Sequence, residues 1–128
     1  MYYIGIDISK FKHDCAVIDD FGEIVTPSWS FTNDSEGFSQ LKLLLDSLDA
    51  EARIGLESTG HYGMNLKLFL ESNNFSFMEF NPLLINRFVK SKSLRKTKSD
   101  SIDCMMIAHY LMTVEYNPIR HYYITLRS

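Results

Sequence analysis

Over the first quarter of the chain, apolar residues come in short aromatic and β-branched runs. Tyr2 to Asp7 (YYIGID) and Asp14 to Asp19 (DCAVID) both predict strands. Asp20-Phe21-Gly22 supplies a hairpin glycine before a third run, Glu23 to Phe31. Pro27 lies inside that run; it removes a ladder donor, so an edge or bulged strand is expected. The period then changes. Asn33 or Asp34 suits a helix cap, and Phe38, Leu41, Leu45 and Leu48 follow at helical spacing. Ala52 to Glu57 (ARIGLE) predicts a fourth strand, with Ser58-Thr59-Gly60 as a tight turn after it. Tyr62, Leu66, Phe69 and Leu70 mark a second helix, ended by Asn73-Asn74. Phe75 to Phe80 (FSFMEF) predicts a fifth strand, and Asn81-Pro82 opens a short helix through Leu83, Leu84, Ile85 and Phe88. No apolar period follows Val89 until a last helix, from about Ser99 to Met112.

This order has an architectural consequence. Strands joined by short turns are antiparallel, whereas strand-helix-strand crossovers place their strands parallel. The expected α/β fold is a mixed five-stranded sheet, three antiparallel strands then two parallel ones, flanked by helices. Strand one sits centrally, with strand four parallel beside it.

That arrangement draws attention to the acids. Asp7 lies near the end of strand one and Glu57 ends strand four, so both fall at the sheet edge where open α/β sheets bind ligands. Asp100 and Asp103 stand three apart in RKTKSDSIDCMMIAHYL. Read as an N-cap and the third helical position, they need no function beyond capping and the helix dipole. Their spacing also puts them on one helical face. Each acid alone has an ordinary explanation, a strand-end or capping role. As a set of four, they suit hard divalent cations, which prefer oxygen ligands and relieve buried carboxylates of an unpaired charge. Two cations roughly 3.5–4 Å apart would serve phosphodiester chemistry.

Composition adds one further element. The chain has 128 residues, 45% of them apolar, and fits one domain with a real core. A net charge of -3 argues against nucleic acid, but its distribution argues the other way. Arg87, Lys90, Lys92, Arg95, Lys96 and Lys98 fall in one stretch without an acid. They read either as a solvated loop or as a phosphate-binding segment beside the acids. MYYIGIDIS has no charged leader region, no membrane-length apolar run occurs, and Cys15 and Cys104 lack metal-ligand spacing. A cytoplasmic protein with reduced thiols and no membrane association is expected. His61 follows the strand-four turn and is read as a surface histidine; Met105 and Met106 are read as core.

GIDISK, ESTGHYG, the FNP turn and KTKSDSIDCMMIAHYL, in this order and at these separations, resemble the N-terminal domain of the DEDD transposases. These are the insertion-sequence one-ten family and the related Piv-like DNA invertases. The resemblance spans residue 3 to about 112. It implies a ribonuclease-H-like (RuvC-like) fold and a metal tetrad at Asp7, Glu57, Asp100 and Asp103, holding Mg²⁺ or Mn²⁺, two ions in all. Also implied are DNA partners (donor and target), a structured guide RNA, and a C-terminal domain bearing a serine nucleophile. Cys104 stands where the family usually has alanine. Residues 1–112 are expected to form the catalytic domain, and 113–128 a tail or the start of a linker to that further domain. Such a fragment is expected to bind metal, to assemble as a homo-oligomer, and to be inactive in strand exchange alone. The alternatives are a stand-alone RuvC-like Holliday-junction nuclease and a non-catalytic nucleic-acid-binding fragment. Half of an actin-like sugar kinase fits less well, because the first turn holds Lys10-Phe11-Lys12-His13 in place of a glycine phosphate loop.

Overall fold

A computed structural model describes residues 1–57, 60–92 and 102–118. Five strands form one sheet in the order β3-β2-β1-β4-β5. β1 (Tyr2–Ile8), β2 (Lys12–Asp19) and β3 (Ile24–Thr32) make the antiparallel meander, while β4 (Ala52–Glu57) pairs parallel with β1 and β5 (Met78–Phe80) parallel with β4. β3, which holds Pro27, is an edge strand with register shifts in its pairing to β2, as the missing donor requires.

The strand period of two sorts the central residues onto two faces. Ile4, Ile6 and Ile8 of β1 join Cys15 and Val17 of β2 in a buried cluster. That cluster includes Phe38, Leu41 and Leu45 of α1 (Ser35–Ser47), and Leu66 and Leu70 of α2 (Met64–Ser72). The opposite face is crossed by α4 (Cys104–Thr113), which packs with α3 (Pro82–Ser91) through Ile85, Val89, Met106, Ile107 and Leu111. Each of these fully buried aliphatic side chains contributes about 1.5–3 kcal/mol of transfer free energy.

Gly5 explains how closely α4 approaches. A Cβ at Gly5 would lie 2.1 Å from the Cys104 carbonyl oxygen and 2.5 Å from the Ala108 nitrogen. Helix backbone rests on strand backbone here, and only a residue without a side chain permits it.

Several elements differ from their sequence expectation. Asp34, whose carboxylate accepts from Gly37 N at 2.9 Å, is the cap of α1, and Leu48 is only half-buried at the helix end. Tyr62 lies in a 3-10 turn (Gly60–Gly63) ahead of α2 and is exposed. β5 has three residues instead of six. Asn74 takes a positive φ of 62°, and Phe75 N still bonds back to Leu70 O, so the chain straightens late. α3 reaches Ser91 and carries Arg87 and Lys90 on its exposed surface. The last helix begins at Cys104, not near Ser99. Asp103 is itself the N-cap, with its carboxylate accepting from Met106 N at 2.9 Å. The placement of Asp103 at the third helical position, with Asp100 as the cap, is therefore incorrect: capping geometry needs an extended residue, and Asp103 sits at φ -114°, ψ 173°.

Candidate active site at the strand ends

The parallel register sets two acids side by side. Ile6 of β1 pairs with Leu56 of β4, so the next residues, Asp7 and Glu57, lie at the C-terminal ends of neighbouring strands at one sheet edge, Asp7 one residue before the end of β1. Both share the face of Gly5 and Gly55, the face α4 crosses. The first turn of α4 lies on Gly5, two residues before Asp7, and this brings the capping Asp103 toward the same edge.

Electrostatics report the crowding. The Asp7 carboxyl is raised from 3.8 to about 6, first by burial and then by the charges of Glu57, Asp14 and Asp103. Glu57 is raised as well, by burial. Half-buried carboxylates that repel one another favour either a proton or a cation in their midst.

Asp14 has no part in the sequence-derived set. It faces Asp7 directly across the antiparallel β1–β2 ladder, and its carboxylate accepts from Ser30 Oγ of β3. Because DCAVID reads as a strand, counting the hairpin register back from the Lys10-to-His13 turn sets Asp14 opposite Asp7. Asp100 lies outside the described residues, as do Arg95, Lys96, Lys98, Ser58 and Thr59. Among the described residues, no three His, Cys, Asp or Glu side chains converge to hold a metal ion. The geometry thus joins Asp7 to Glu57, brings Asp14 and Asp103 within electrostatic reach, and leaves the fourth expected acid undescribed.

The remaining candidates separate by burial. His13 is fully buried, packed edge-on against Phe31, and its Nδ1 accepts from Ser9 N at 3.2 Å. Burial lowers its affinity for a proton, against the pull of the Asn33 side chain and the Asp14 charge. His61 is exposed, 5.0 Å ring to ring from Tyr62. Cys15 and Cys104 are free and buried, and burial raises both thiols, which suits inert core residues. Cys104 Sγ donates to Ser28 Oγ at 3.3 Å, so this small residue is accommodated at the start of α4. Arg87, Lys90 and Lys92 are exposed on and just beyond α3, next to Val89, which shares a buried cluster with Ile102, the neighbour of Asp103.

The family model described as "Transposase", that of the DEDD transposases of the IS110 type, matches residues 4–127. The chain belongs to the DEDD transposase family. The ribonuclease-H-like fold of that family is the mixed sheet described above. Among the relatives of this transposase-family chain is a pilin gene-inverting protein of Moraxella bovis, 32% identical over 111 residues. That match covers 84% of this chain and 33% of the relative. The protein of the same name from Moraxella lacunata is also 32% identical, with the same coverage. The chain thus spans about a third of the length of the curated relatives it matches. No described helix is long and apolar enough to cross a membrane.

Proposed function

We propose that the chain is the metal-dependent catalytic domain of a DNA transposase or recombinase, which breaks and rejoins DNA phosphodiester bonds. The observation that carries this reading is that Asp7 and Glu57 follow the last register pair of adjacent parallel strands, with Asp103, the α4 cap, within electrostatic reach of Asp7. Family membership supports it.

In this reading Asp7, Glu57, Asp100 and Asp103 hold divalent cations, Mg²⁺ or Mn²⁺. The donor set fits: every side chain is a hard oxygen donor, and Asp7 and Glu57 hold their protons unusually tightly until a counter-charge arrives. These carboxylates would hold a cation pair, whose charge would help activate the attacking oxygen and stabilise the leaving one. The chain's own residues orient the scissile phosphate. Asp103 is fixed by its cap bond to Met106 N, Asp14 is held by Ser30, and Arg87, Lys90, Lys92, Arg95, Lys96 and Lys98 neutralise the phosphate backbone. Residues 1–112 form the catalytic domain, and 113–128 lead toward a serine-bearing C-terminal domain. Strand exchange requires that domain, a structured guide RNA and a homo-oligomeric assembly.

Thermal melting with millimolar Mn²⁺ against EDTA tests the site. A cation bound only by the folded chain stabilises it by about 2.7 kcal/mol at 100 times the dissociation constant. Wild type should show this gain and Asp7→Asn should lose it. An equal, small shift in both would overturn the reading.

A further inference from the structure

The sheet edge that carries Asp7 and Glu57 also carries two exposed aromatics with no part in the carboxylate site. Phe11, in the β1–β2 turn, is 76% exposed, and Tyr62, in the 3-10 turn after β4, is 41% exposed. Neither stands alone. The Lys10 ammonium lies 5.1 Å from the Phe11 ring centroid, and the His61 ring sits tilted against Tyr62, 5.0 Å between centroids at 58°. Among the described residues no carboxylate pairs with Lys10 or Lys12.

One side chain ties the two turns together. The Asn33 amide donates to Lys10 O at 3.1 Å and to Tyr62 O at 3.3 Å, while Asn33 N donates to Phe11 O at 2.9 Å. Gly63 completes the junction, since a Cβ there would lie 2.8 Å from Ile8 Cδ1 at the end of β1. The turn after β1 and the turn after β4 are thus one rigid ledge, displaying aromatic rings and unpaired ammonium groups beside the acids.

We propose that Lys10, Phe11, His61 and Tyr62 form a stacking platform for an unpaired DNA nucleotide next to the phosphate addressed by the carboxylates. The position of that phosphate rests on the function proposed above. Aromatic faces accept any base, and lysines accept the adjoining phosphate, so the ledge reads strandedness and not sequence. Free ammonium groups beside the rings favour this polyanion over an apolar protein segment. Where strands are parted for exchange, an aromatic ledge beside the reacting phosphate would hold the unpaired base by stacking.

The test is fluorescence anisotropy of a labelled thymidine-rich single strand with the 128-residue chain in EDTA. Phe11→Ala and Tyr62→Ala should each weaken binding by roughly 5- to 150-fold, the range for losing one stacked base. Their exposure predicts unchanged melting temperatures. Phe11→Trp should retain binding, abasic sites in the strand should abolish the Phe11→Ala effect, and Lys10→Gln should reduce the salt slope by about 0.7. Wild-type affinity in either alanine variant would overturn the platform, as would losses confined to an RNA strand of the same sequence. If Mn²⁺ fails to stabilise the wild type while Phe11→Ala still weakens binding, the carboxylate reading falls and the platform stands. If Mn²⁺ stabilises the wild type and Phe11→Ala binds normally, the platform alone falls.

Discussion

The two faces of the sheet are built on different terms. Under α1 and α2, large side chains fill the space: Ile4, Ile6, Leu41, Leu66 and Leu70 are all fully buried. Under α4, β1 presents Gly5, so helix and strand meet backbone to backbone. One face obtains stability from apolar volume. The other gives up volume at its centre, and the close approach carries the start of α4 to the strand ends, where Asp7 and Glu57 lie. The acids occupy the face on which the start of α4 rests against β1. That positive helix end also favours carboxylates.

The difference can be broken most severely at Gly5. Gly5→Val must push α4 off β1, because the obstructing atoms are backbone and cannot swing aside. We expect more than about 4 kcal/mol of destabilisation by denaturant unfolding, beyond the usual overpacking range. Leu41→Ala on the other face should remove about 2–5 kcal/mol. Unlike Gly5→Val, it should leave the Asp7 titration unchanged by NMR, because the cavity opens on the far side of the sheet.

A subtler prediction concerns pH. Asp7 in the folded chain titrates at about 6, against 3.8 when free, so the native state retains a proton that the unfolded state releases. Stability from this group should therefore fall as pH rises through that window. A shift of this size corresponds to at most ~3 kcal/mol. Partial exposure screens it to ~1 kcal/mol. Asp7→Asn should flatten the pH dependence and stabilise the metal-free chain at neutral pH by about that amount; a less stable variant would contradict the charge crowding.

The smallest effect separates capping from charge at Asp103. Asparagine caps as well as aspartate, so Asp103→Asn should change stability by less than ~0.5 kcal/mol. It should nonetheless lower the Asp7 titration midpoint, because one of the repelling charges is gone. An unmoved midpoint would place Asp103 away from the site.

Much of the sheet is legible in the sequence. Ala52 to Glu57 reads as a strand and is one, residue for residue: a short segment with an apolar centre (Ile54, Leu56) between turns is too short for a helix of its own. The sheet's mixed pairing followed from connection lengths. Some features depart from the pattern. β5 is short because Asn74 and Phe75 still serve the end of α2, a backbone matter that an apolar pattern does not encode. The last helix starts late because Asp103, expected at the third helical position, is itself extended and caps Met106 N. Composition cannot choose between Asp100 and Asp103 as the cap.

The sequence alone determined the alternation, the periods and the turn chemistry, and through them the order of elements and the pairing of Asp7 with Glu57. These are local or topological properties, set within a few residues or by the length of a connection. Tertiary structure decided which other groups meet that pair. Asp14 reaches it through the hairpin register, Asp103 through the fit of α4 onto Gly5, and the Phe11 and Tyr62 turns join through one asparagine. Each is a meeting of segments distant along the chain, or the choice of one register among several, and packing selects it only when the whole sheet has closed.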